Sequence, residues 1–83
     1  MLLTSFQAET VYDMMCTMNN IGAKIQVRIP RPDHWLQVAE TEDGTIRVAA
    51  TDNFIGSGIR EADVEVYSTQ QKFAEAYCLD KPF

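Results

Sequence analysis

Clustered cations, a cysteine framework and long apolar runs are all missing from this chain of 83 residues. Its seven Lys and Arg residues (Lys24, Arg28, Arg31, Arg47, Arg60, Lys72 and Lys81) stand singly against twelve Asp and Glu, a net charge of -5. Phosphate backbones are held by grouped cations that displace counterions, so this scatter argues against direct nucleic-acid binding and against docking to an anionic membrane. Cys16 and Cys78 lack CxxC spacing and are too few for a small secreted disulfide scaffold, so free, partly buried thiols are expected. Together with His34 they make three scattered ligands where a structural zinc takes four. No metal or other cofactor is therefore expected. No run approaches the ~18 apolar residues of a membrane span. Met1-Leu2-Leu3 lacks the basic start of a secretory signal. The chain reads as a soluble, cytoplasmic protein.

What is present is a folded composition, 46% hydrophobic and 23% charged. Thr4-Ser5-Phe6-Gln7 fits a capping box and opens a helix whose Ala8, Val11, Met14, Met15 and Met18 share one face. Gly22 is placed to close it. Residues 23–29 alternate, with Ile25, Val27 and Ile29 on one side and Lys24, Gln26 and Arg28 on the other, as a half-buried strand does. Pro30-Arg31-Pro32-Asp33 breaks that strand, and residues 35–40 form the next. Thr41-Glu42-Asp43-Gly44 is a hairpin turn leading to a return strand with Ile46, Val48 and Ala50 inward. Residues 61–67 alternate once more, with Ala62, Val64 and Val66 assigned inward and Glu61, Asp63 and Glu65 outward. Ser68 is the expected N-cap of a short final helix burying Phe73, Ala76 and Tyr77. The expectation is one α+β domain over residues 1–83, order α-β-β-β-β-α, its antiparallel sheet of about four strands packed against both helices. Where the fourth strand joins is left open.

Catalytic patterns are weak. Gly56-Ser57-Gly58 has Glu61 where the dinucleotide fingerprint needs a third glycine, and that charge would repel pyrophosphate. Asp33-His34 is the sole histidine context, and neighbours on a strand or turn usually point apart. Glu9 and Asp13, one helical turn apart, read as a solvated face. No nucleophile motif accompanies any of them, and the chain is read as non-enzymatic.

Two constellations speak to binding. Glu61, Asp63 and Glu65 line one strand face, and Glu40, Glu42 and Asp43 crowd a hairpin tip. Carboxylates ~6–7 Å apart along a strand approximate the phosphate spacing of a nucleic-acid strand, so such a row suits a basic groove. Alternatively, the row pairs across the sheet with Lys24, Arg28 and Arg47. The second constellation is apolar: Trp35 with Arg31 beside it, and Phe54, Ile55 and Ile59 on a glycine-containing loop. Trp35 either fills the core or anchors an interface, and an exposed patch would also serve a homodimer.

In size, acidity and want of a catalytic signature, the chain resembles the small inhibitors that phages direct at host machinery, anti-CRISPR proteins among them. That resemblance implies a stoichiometric inhibitor that blocks a basic, nucleic-acid-binding protein complex by protein–protein contact. A structural or accessory homo-oligomer is the alternative.

Overall fold

The structure is a computed structural model that describes residues 1–51 and 59–79, with the backbone alone for residues 59–63. Among these residues the order is α1 (Ser5–Asn20), β1 (Gln26–Pro30), β2 (Trp35–Glu40), β3 (Ile46–Thr51), β4 (Ile59–Tyr67) and α2 (Gln70–Ala76). This is the α-β-β-β-β-α order expected from the sequence. No described helix is long and apolar enough to cross a membrane.

The capping box of α1 forms in both directions. The Gln7 N–H donates to Thr4 Oγ1 at 3.1 Å, and the Thr4 N–H donates to Gln7 Oε1 at 2.9 Å. Two of the helix-end donors are thereby satisfied. Replacing Thr4 by Ala should cost about 1 kcal/mol, read as a fall of roughly 4–8 °C in the thermal midpoint. At the far end Gly22 takes φ +71, the left-handed region in which it meets no steric penalty. The buried stripe is Ala8, Val11, Tyr12 and Met15, with Met14 half-buried beside it. Tyr12, one turn from Ala8, widens the stripe beyond the residues expected. In α2 the cap is Thr69, one residue later than expected, accepting from the Lys72 N–H at 3.0 Å.

The four strands lie in sequence order, all antiparallel, which places the fourth beside β3. Val27 faces Val38, Leu36 faces Ala50, and Val48 faces Glu65. Ile25, Leu36, Val38, Ile46, Val48 and Ala50 point to one side, where they form a single core with Ala8, Val11, Tyr12, Met15, Phe73 and Ala74. Both helices therefore cover the same face of the sheet; no described helix lies over the opposite face, on which Ala49 and Thr51 are nonetheless buried.

Strand β4 departs from the reading in the direction its side chains take. Cross-strand partners share a face. Glu65 opposite the buried Val48, and Tyr67 opposite the buried Ile46, must therefore point toward the helices. Val64 and Val66 point to the uncovered face, where Val66 is 61% exposed. The reason is aromatic. Tyr67 packs edge-on against Phe73 (5.6 Å between ring centroids) and Tyr77 (6.1 Å), and Phe73 lies 5.0 Å from Tyr77. Burying that larger ring set outweighs burying two valines. A register irregularity opposite Ala49–Thr51 follows upstream in the same strand pair. The thiols also differ from expectation, since Cys16 and Cys78 are both free but exposed. Cys16 is on the solvent side of α1, and Cys78 lies just beyond the end of α2, at φ +55.

Candidate functional site

The acidic residues do not assemble as a row among the described side chains. Glu65 is turned inward and is only 19% exposed. Its carboxylate accepts from the Leu2 N–H at 2.9 Å, from the Tyr67 hydroxyl at 2.9 Å and from the Tyr77 hydroxyl. The Tyr77 hydroxyl in turn accepts from the Leu3 N–H at 3.4 Å. Burial raises both phenols, Tyr67 to about 12 and Tyr77 further, and the adjacent Glu65 carboxylate adds to each. This is a structural tie between the N-terminal segment, β4 and α2. Glu40, expected at an exposed tip, is likewise enclosed at 5% exposure. It lies on the helix side of β2, 3.6 Å from Lys24 Nζ and accepting from Gln70 Nε2 at 3.1 Å. The side chains of Glu61 and Asp63, and the whole of Phe54, Ile55 and Gly56-Ser57-Gly58, lie outside the described residues.

Glu42 and Asp43 do stand exposed at the β2–β3 turn. Gly44 there has φ +91, as a tight hairpin requires. Asp43 accepts from the Thr41 hydroxyl and from the Thr45 N–H (3.1 Å), and these bonds hold its carboxyl below the ordinary range. The tip is thus a fixed anionic point. For Glu65, the one member of the row whose side chain is described, pairing with Arg47 across the sheet is not what the register makes. Arg47 lies across from Ala39 and Val66 on the uncovered face, while Glu65 is on the other side. Lys24 pairs with Glu40 instead.

Trp35 opens β2 on the uncovered face, half-buried, opposite Pro30 of β1 and Thr51 of β3. It is not part of the core cluster. Gln37 and Ala39 continue its side of β2. With Thr41, Arg47 and Ala49 they line a shallow depression of about 170 Å³. The helix-free face of the sheet therefore carries Trp35, Ala39, Ala49, Val64 and Val66, with Gln26, Arg28, Gln37 and Arg47 among them and Ala49 buried. Arg31, exposed in the β1–β2 connection, sits beyond the edge of this surface. Reading the parity of β4 from its valines hid this surface. Its mark in the sequence is Tyr67, whose ring demands the face that the valines were assigned.

Asp33 and His34 meet, against the expectation for neighbours. His34 Nδ1 lies 2.6 Å from Asp33 Oδ1, with the imidazole partly enclosed and the carboxylate exposed. An oriented imidazole is half of a catalytic arrangement, which also needs a nucleophile at the other ring nitrogen. Among the described residues no hydroxyl or thiol is placed there. Groups of three or more His, Cys, Asp or Glu suited to a metal ion are also absent from the described residues.

The chain matches no protein-family model, no curated protein and no solved structure. The surface itself must carry the functional argument.

Proposed function

We propose that this protein is a non-enzymatic binding domain that acts by occupying the surface of a protein partner through the helix-free face of its sheet. The observation that carries this reading is Val66, 61% exposed on a sheet face shared with the half-buried Trp35, Ala39 and Val64. A solvated antiparallel sheet face is ordinarily polar, and contiguous apolar surface of this kind marks contact sites. Trp35 is the anchor residue of the face. The partner class follows from charge. A chain of net charge -5 with a fixed anionic tip at Glu42 and Asp43 is attracted to a basic, nucleic-acid-binding protein and speeds the encounter. Held there, it blocks stoichiometrically, in the manner of the phage-encoded inhibitors that the sequence profile resembles.

The test is retention of partners from a lysate of the source cells on tagged wild type, Val66→Asp and Glu42→Lys/Asp43→Lys. A nucleic-acid-binding protein is expected on the wild type. Val66→Asp should reduce it at least tenfold, and the charge reversal should weaken it while flattening its salt dependence. Equal retention by folded Val66→Asp overturns the sheet-face assignment. A wild type that sediments as a dimer, while Val66→Asp sediments as a monomer, replaces the partner by a second copy of the chain.

A further inference from the structure

We infer that the outer edge of β1, with the groove between β1 and α1, is a strand-addition site for an extended peptide that alternates apolar and acidic residues. This site borders the helix-free face at Arg28, and it stands whether or not that face binds a partner.

The backbone supplies the first argument. The Glu40 N–H donates to the Ile25 carbonyl (3.0 Å), and the Arg31 N–H donates to the His34 carbonyl (2.8 Å). In an antiparallel pair, hydrogen-bonded and non-hydrogen-bonded positions alternate. With the register Val27 to Val38 and Ile29 to Leu36, the odd-numbered residues of β1 spend their backbone groups on β2. The N–H and C=O of Gln26 and Arg28, and the C=O of Pro30, therefore point away from the sheet. Pro30 fits at this place because the N–H it lacks would have pointed outward too. Strand β1 is first in the sheet order, so among the described residues no strand takes these groups.

Side chains supply the second. On the helix side, Phe6, Thr10, Val11 and Met14 of α1 with Val27 and Ile29 of β1 line an apolar groove of about 190 Å³. Phe6 is 80% exposed at its rim. A strand added beside β1 lays every second side chain into this groove, as helix-and-edge peptide sites do. The intervening side chains fall on the helix-free face beside Arg28, which is exposed. Charge then selects the occupant. Residues 26–31 hold Arg28 and Arg31 and no acid, in a chain that is otherwise acidic, while Lys24 before them is committed to Glu40. The residue across from Arg28 is accordingly Asp or Glu, and its neighbours are apolar. Pairing of β1 with β1 of a second copy would bring cations together with no carboxylate on either strand, which disfavours that occupant.

The probe is a blocked, fluorescein-labelled peptide alternating valine and glutamate, titrated by anisotropy against the full chain, with a valine–lysine peptide as control. Saturable binding of the valine–glutamate peptide is expected, with amide shifts at Gln26 and Arg28. Arg28→Glu should weaken it roughly tenfold and admit the valine–lysine peptide instead. The proposal is overturned by lack of saturation up to millimolar peptide, by equal binding of both peptides, or by binding that leaves the Gln26 and Arg28 amides unmoved. Concentration-dependent dimerisation that Arg28→Glu strengthens would assign the edge to a second copy and overturn it likewise.

Discussion

Phe73→Ala is expected to leave little of the folded protein at 37 °C. Phe73 is fully buried, and its ring lies against Tyr67 and Tyr77 within a core that includes both helices. Truncating such a side chain removes its transfer free energy and leaves a cavity that neighbours refill only in part, about 3–5 kcal/mol together. A domain of this length has a total stability of roughly 4–12 kcal/mol. The substitution therefore consumes between a quarter and all of it. Urea titration followed by near-ultraviolet circular dichroism measures the loss directly. Phe73→Leu, which keeps most of the volume, should cost less than half as much. A Phe73→Ala protein within about 1 kcal/mol of wild type would mean that the aromatic set is not the packing centre.

Glu65→Leu is the second large effect, and it decides between two roles for one residue. As a member of an exposed acidic row, Glu65 would tolerate leucine with a change of a few tenths of a kcal/mol. In the observed tie, removing the carboxylate leaves the Tyr77 and Tyr67 hydroxyls and the Leu2 N–H without their acceptor. Stranding part-buried donors of a charged acceptor costs about 2–3 kcal/mol. Tyr77→Phe alone should cost less, and the double variant less than the sum of the two, because both break one network. The same tie sets an alkaline limit. The folded phenols of Tyr67 and Tyr77 are raised above the ordinary value of 10.0, so above that pH the folded chain holds protons that the unfolded chain releases. Their contribution is complete below pH ~10 and declines as pH rises further. Tyr77→Phe should make that decline shallower.

The elements and their order were readable because each is punctuated locally. Thr4 with Gln7, Gly22, Pro30–Pro32 and Asp43–Gly44 mark boundaries that depend on a few neighbouring residues. What could not be read was which face of β4 is buried. Residues 61–67 offer two alternating sets, and the valine set looks the more apolar by itself. The choice is made at a distance, by Phe73 and Tyr77 receiving Tyr67, and by two phenols and the N-terminal backbone satisfying Glu65. A carboxylate with partners elsewhere in the chain looks the same in sequence as one facing water. Glu40 misled in the same way, since Lys24 and Gln70, far apart in sequence, meet at its carboxylate. On the candidate surface, Trp35 was legible as a residue of consequence, whereas Val66, Ala39 and Ala49 became visible only once the register put them together.

The sheet order has a consequence for how the chain reaches this state. Every strand neighbour in space is the neighbour in sequence, so β1 to β4 pair by closing hairpins, and α2 follows directly from β4. Such short closures are fast. The N-terminal contacts are of another kind, with Leu2 reaching Glu65 across 63 positions and Leu3 reaching Tyr77 across 74. They close the longest loops among the described hydrogen bonds, and contacts of that kind are expected to form late, after the folding barrier has been crossed. The segment that locks the phenols in place is then expected to act as a latch on a nearly finished domain, so that Leu3→Ala speeds unfolding more than it slows folding in stopped-flow measurements.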